Sequence, residues 1–502
     1  VLLVRNRKEF SALGSKCPHS GAPLSKGVLR GERLRCPWHG ACFNIRTGDI
    51  EEYPSLDCIS CFKVTVEGGK VFVTAKKKVL TLPAVTEHKQ HLGLAPALVG
   101  VAALVCAETL RQEGFTGRII MATKEKHVPY DKSKLSKEMD LKAEDIYLRK
   151  PEFLAAQGIE FWTEKEAVSV DFQKQKVHFV DGSSQKYHQL LIATGSHANF
   201  LPVPGADLQN VCLLQTPEDS SKILELATGR NLVVVGASFV GTRLEGPGFQ
   251  GPVRDTNGAS LQPGAAAELP AWGLAGYSCF YSRTAWNFLM NTQTSPFQML
   301  QNKGVKFHMK SELCELKGKD GKVVEAVLAN GEKLPADVVV VGTGSTPNSA
   351  FLKGTSITRD DKGAILVDLH MQTNIPNVFA AGDVVSFPVV LLNRDRSSIH
   401  HQQVAEAHGH CAALNMLKKG KELHTVPFFW TTLVGKSIRY AGCGKGHTDT
   451  VVKGSLEQQK FLIFYIRDGL VTAAASLNCD PMVSLIAEVL YLGKQISKEE
   501  AE

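Results

Sequence analysis

The stretch "KCPHSGAPLSKGVLRGERLRCPWHG", residues 16–40, sets two Cys and two His as Cys17-x-His19 and Cys36-x-x-His39, with sixteen residues between the two boxes. A zinc ribbon would carry Cys-x-x-Cys pairs; here sulfur and nitrogen donors alternate, and a Gly turn follows each box. Thiolates hold iron firmly and imidazoles raise the potential of the iron they bind. The set therefore suits a [2Fe–2S] cluster with Cys17 and Cys36 on one iron and His19 and His39 on the other. A zinc site drawn from the same donors is the alternative, and the separation of the two boxes argues against it. Around them, Val1–Val4, Phe62–Val66 and Val71–Val73 read as short strands between Gly and Pro turns. Residues 1–76 are thus expected to be a small all-β metal-binding domain, followed by a polar linker over 77–90.

The whole chain is longer than one core. At 502 residues it exceeds the ~250–300 at which single cores stop growing. A net charge of +7 is too small on this length to argue for nucleic acid, and the Lys76-Lys77-Lys78 run reads as a solvated linker. The apolar stretch Leu92–Ala107 contains two Gly and one Pro and falls short of the ~20 residues that span a bilayer, so no transmembrane segment is expected. Twelve scattered Cys point to a reducing, intracellular setting, mitochondrial or cytoplasmic, rather than a secreted disulfide framework. The sequence starts at Val1, so a targeting signal is neither visible nor excluded.

Beyond the linker, strands alternate with helices, which means parallel α/β layers. Three signals carry dinucleotide chemistry. "TNIPNVFAAGD", 373–383, ends a strand in Gly382-Asp383, where a carboxylate can accept from sugar hydroxyls while the Gly lets the backbone approach a ligand. Ala193-Thr194-Gly195 closes another strand. "VVVVGTGSTPN", 338–348, supplies Gly342. A weaker glycine turn lies at Gly100, with Ala103 packing behind it; Leu98 replaces a first Gly and Pro96 falls inside the expected first strand. Glu125 stands about twenty residues on, where a ribose carboxylate belongs.

Residues 16–40 resemble a Rieske domain. The resemblance implies a lower-potential, ferredoxin-like module, because Ala22 and Trp38 stand where high-potential Rieske proteins carry a disulfide. The dinucleotide signals resemble the flavoproteins with two dinucleotide-binding domains, and the order of modules is similar to that of apoptosis-inducing-factor flavoproteins bearing a Rieske module. That resemblance implies an all-β Rieske domain, an α/β flavoprotein with FAD domain at 91–210 and 335–420, an NAD(P)-binding domain at 211–334, and a small α+β dimerisation-like domain at 421–502. It further implies that Lys132 and Lys137 hold the FAD pyrophosphate, that Val168 lies by the adenine, and that His400, His401 and Trp430 lie by the flavin. The expected function is an NAD(P)H oxidoreductase passing electrons through FAD and the cluster to an unknown acceptor, with a possible role in apoptosis and a homodimer permitted.

The nicotinamide fingerprint is Gly236-Ala-Ser238-Phe-Val-Gly241, one substitution from the usual pattern. Gly246-Pro247-Gly248 then closes off the helix that should follow, and 242–296 has no regular period. Two rivals follow: a cofactor-bearing pro-apoptotic signalling protein, and an inactive splice form in which 91–99 and 242–296 are foreign and NAD(P)H binding is impaired. Cys58-x-x-Cys61 lacks a following helix and reads as two structural thiols rather than a redox pair.

Overall fold

The computed structural model describes residues 1–74, 94–98, 100–236, 267–268, 306–308, 312–433 and 435–502. The expected linker at 77–90, Gly241, and 242–296 apart from 267–268 lie outside the described residues.

The first 74 residues form two four-stranded antiparallel sheets. One joins Leu2–Asn6, Glu9–Leu13, Cys61–Glu67 and Lys70–Thr74. The other joins Val28–Arg30, Arg33–Arg35, Cys42–Asn44 and Ile50–Glu52. Leu13, Leu24, Leu34 and Phe43 pack around the buried Cys17 and Cys36. In strand Arg33–Arg35 the side chains alternate, so Leu34 enters that core while both arginines point to the opposite face.

The expected flavin half is a five-stranded parallel sheet in the order Ile159–Trp162, Arg118–Ala122, Leu94–Leu98, Leu190–Ile192, Val378–Ala380. Pro96 therefore sits inside a central strand, opposite Ile120, and removes one ladder donor without preventing the strand. Helix α1 (Val101–Gln112) follows with Ala102, Ala103 and Ala107 buried. Their small size admits a close crossing. At Gly409 an added Cβ would strike the carbonyl oxygen of Ala102.

The nicotinamide half keeps three parallel strands, Val211–Leu213, Val338–Val341 and Leu232–Val235, with helix α2 (Pro217–Ala227) started by a Thr216–Asp219 capping box. This corrects the expected boundary at 335. Val338–Val341 pairs with 211–213 and 232–235, so the chain returns to the flavin domain only after it. Four buried valines fit the middle of either parallel sheet, and sequence cannot choose the neighbours.

Helix α3 (Gln402–Met416) leads to a five-stranded antiparallel sheet ordered Phe428–Leu433, Lys436–Gly442, Leu470–Leu477, Lys460–Arg467, Asp449–Ser455. Helix α4 (Met482–Tyr491) packs on this sheet through Val483, Ile486, Ala487 and Leu490. Among the described residues no helix is long and apolar enough to cross a membrane.

Candidate redox site

The four expected iron ligands converge as two like pairs. His19 Nδ1 and His39 Nδ1 are 2.9 Å apart, and the Cys17 and Cys36 thiols hydrogen-bond to each other. Among the described residues no three His, Cys, Asp or Glu side chains gather as a single-ion site. Two sulfurs in one pair and two nitrogens in the other match a two-iron cluster with two protein ligands per iron. Burial lowers the pKa of both imidazoles, that of His39 to about 2 with help from His19, Arg439, Lys137 and His401. Both rings are therefore neutral and ready to ligate. The Cys36 thiol is lowered to about 7, first by its contact with Cys17, then, against burial, by the backbone N–H groups of His39 and Trp38; Cys17 is raised by that same contact and by burial. Amides directed at sulfur also tune a bound cluster.

Trp430 joins this site to the flavin half. Its ring, 9% exposed, lies 4.7 Å from His39, 5.5 Å from His19 and 4.9 Å from His401, centroid to centroid. His401 is the N-cap of α3, accepting from the Gln403 N–H. His400 Nδ1 lies 3.1 Å from Ser345 Oγ.

The expected flavin cradle is built from close backbone approaches. Gly100 starts α1, and a Cβ there would sit 3.1 Å from the Ala193 carbonyl. Ala103 behind it is fully buried. Gly382 has φ +79 and donates from its N–H to His408 Nδ1 at 3.3 Å. Asp383 accepts from Ser196 Oγ at 3.4 Å. Thr194 Oγ1 donates to the Asn348 carbonyl at 2.7 Å, and Asn348 Nδ2 returns a bond to the Thr194 carbonyl, while Gly195 at φ +67 turns the chain away. Lys132, largely exposed, has Nζ 3.6 Å from Glu125 Oε1, so the expected pyrophosphate cation and the expected ribose carboxylate stand side by side. Lys137 is exposed, and its charge acts on His39. Val168 is exposed on strand Ala167–Asp171. A helix N-terminus, a glycine turn and a strand-end carboxylate fit a dinucleotide cofactor.

In the nicotinamide half Gly236 has φ +111, and a Cβ on it would lie 2.5 Å from the Gly342 oxygen. Gly236 is needed for the two strand ends to meet.

Several polar residues at the site had no sequence signal. Arg439 is buried opposite Trp430 in the strand register, with its charge felt at Cys36 and His39. Glu406 is buried in α3 with Oε2 unpaired; burial and Asp131 push its carboxyl up to about 8, against a hydrogen bond from Gln402. Cys58 and Cys61 are exposed free thiols raised by desolvation, the opposite of an activated redox pair.

Fold and site together define a flavoprotein reductase with an iron–sulfur module. The chain matches the Rieske [2Fe–2S] domain over residues 1–63, the pyridine nucleotide-disulphide oxidoreductase family over 99–244 and 290–409, and the reductase C-terminal domain over 428–502. The unmatched gap falls inside the irregular 242–296. The chain is 44% identical over 513 residues to apoptosis-inducing factor 3 of Mus musculus, covering 100% of this chain and 82% of that protein. It is 27% identical over 384 residues to rhodocoxin reductase of Rhodococcus erythropolis, covering 76% and 84%. Its fold is similar to the crystal structure of a ferredoxin reductase from Rhodopseudomonas palustris, TM-score 0.71 at 25% identity over 82% of this chain and 96% of that one. The chain belongs to the pyridine nucleotide-disulphide oxidoreductase family. It is an NAD(P)H oxidoreductase whose redox groups are FAD and a Rieske [2Fe–2S] cluster.

Proposed function

We propose that this oxidoreductase delivers electrons from NAD(P)H, by way of FAD, to its own Rieske cluster and from there to a separate acceptor. Trp430 carries the reading: one indole touches a cluster ligand, His39, and the residue that caps the helix at the flavin, His401. FAD supplies the change from hydride to single electrons, and the cluster carries one electron at a time. The chain's residues supply the rest. Gly100, Gly382 and Asp383 bring backbone and carboxylate to the dinucleotide; Lys132 and Lys137 offer positive charge to its pyrophosphate, without the bidentate geometry arginine would give. Cys17, His19, Cys36 and His39 hold the cluster in a pocket where both imidazoles stay neutral. Trp430 and Phe428 exclude water between the two cofactor sites.

The test is an anaerobic titration of the purified holoprotein with NADH. Bleaching of the flavin followed by a Rieske electron-paramagnetic signal is expected; bleaching with no cluster signal even after long incubation sinks the route. Saturation is expected well above micromolar NADH. The helix terminus and ribose carboxylate that the sequence of 242–296 does not offer would each have given charge-assisted hydrogen bonds of ~1.5–3 kcal/mol, a factor of ~100 or more.

A further inference from the structure

Helix α4 turns one stripe toward the Rieske module, Ser484, Glu488 and Tyr491, at the spacing that stacks side chains along one helix face. Ser484 Oγ donates to the carbonyl oxygens of Cys36 at 3.1 Å and Pro37 at 3.4 Å. Glu488 accepts from Arg35 Nε at 2.9 Å and from Arg33 Nε at 2.7 Å. The Tyr491 ring lies beneath the Arg33 guanidinium, 3.8 Å from its centroid.

The arginines carry this contact to both ends of the second ligand loop. Arg35 precedes Cys36 and donates to the Gly40 carbonyl at 2.9 Å, the residue after His39. It also pairs with Glu52. Glu52 in turn accepts from the Val426 N–H at 3.1 Å, four residues before Trp430. Across the same junction a Cβ at Gly40 would lie 2.6 Å from the Phe428 ring. The side chains of Arg35, Glu52 and Glu488 are each no more than 2% exposed.

We propose that α4 is a clamp that fixes His39 against Trp430, so that the cluster is reduced inside one rigid unit of the chain, with Ser484, Glu488 and Tyr491 as its positioning residues. The clamp rests on the electron route proposed above. In the step it would serve, bound FAD in its reduced form would supply one electron and release a proton to solvent, and the cluster that Cys17, His19, Cys36 and His39 would hold would take that electron, one ferric iron becoming ferrous. The rate depends on the gap that the clamp sets. Because the ion network is buried, salt screens it little.

The experiment uses the full holoprotein, with the flavin reduced by deazaflavin and light rather than by NADH, and follows cluster reduction by stopped absorbance. In the unaltered chain the rate is expected to be independent of protein concentration and of added NaCl. Glu488→Ala removes one of the two carboxylates paired with the buried Arg35 and one of the three paired with the part-buried Arg33, and is expected to slow the step about tenfold or more, with the flavin spectrum and the dithionite-reduced cluster signal unchanged. Hydrogen exchange, read with and without cofactors, gives a second measure. Amides of 33–42 and 482–491 are expected to be protected together, and Glu488→Ala to raise their exchange roughly hundredfold. If Glu488→Ala loses the cluster, Glu488→Gln combined with Ser484→Ala serves instead. Unchanged rate and unchanged exchange in the variant that keeps both cofactors overturn the clamp, as does a rate in the unaltered chain that rises with protein concentration. Failure of NADH to reduce the flavin would sink the route above and leave this result standing.

Discussion

The two ends of the proposed electron path are built differently. At the cluster end the Rieske module, the C-terminal sheet and α4 meet through buried ions, a helix stripe and the Trp430 ring. At the nicotinamide end, the described residues offer three short parallel strands and the contact of Gly236 with Gly342. Many independent contacts position the cluster, whereas backbone shape alone positions what is described of the nicotinamide site. A substitution should therefore act locally at the first end, and at the second should act on binding.

The largest effect is expected at a ligand. His39→Ala opens a coordination position, and loss of the mixed-ligand electron-paramagnetic signal with flavin absorbance intact is the predicted outcome; a wild-type signal would mean His39 is not a ligand. At the other end, Gly236→Ala puts a side chain at φ +111 against the Gly342 backbone. A rise of about tenfold or more in the NADH needed to half-reduce the flavin is expected, with FAD content unchanged. Equal loss of FAD would erase the contrast between the halves.

A matched pair of glycines sharpens the account of the cluster end. Gly40 and Gly21 have φ +78 and +76, but only Gly40 has the Phe428 ring in the way. Gly21→Ala should cost about 1–2 kcal/mol from its backbone alone, and Gly40→Ala clearly more, because overpacking adds a further ~1–3 kcal/mol. Thermal unfolding of the two variants decides; equal shifts would show that the junction with Phe428 gives way freely.

Glu406 predicts a smaller, pH-dependent effect between the two ends. Its carboxyl, facing Gln402, Asp131 and Tyr53, is raised to about 8 in the fold from 4.5. Between those values the unfolded chain has released a proton that the fold still holds, so stability falls as pH rises through that window. Glu406→Gln should flatten the slope, with the gain over wild type largest at about pH 8 and small at pH 5. Parallel melting curves for both proteins across that range would remove Glu406 as the cause. Smallest of all is the expectation for the midpoint potential. With Ala22 and Trp38 in place of a disulfide it should fall in the lower part of the Rieske range of roughly −150 to +300 mV.

The sequence by itself determined what depends on residue type and short spacing. Cys17-x-His19 and Cys36-x-x-His39 define a donor set before any fold is known, because ligand chemistry resides in the side chains. The strand-end motifs at Thr194-Gly195 and Gly382-Asp383 were legible for the same reason. Tertiary structure decided the partners. Arg33 and Arg35 alternate with Leu34 as solvent-facing residues of an edge would, yet Glu52 and, from 453 residues downstream, Glu488 pair with Arg35 in the interior, and Arg33 is part-buried against the same carboxylates. Pro96 argued against a central strand, yet the parallel pairing with 118–122 and 190–192 tolerates one missing donor. Val338–Val341 could have joined either sheet. Local rules act over a few residues along the chain, whereas burial, ion pairing and sheet neighbours are settled by groups that meet only when the chain has folded.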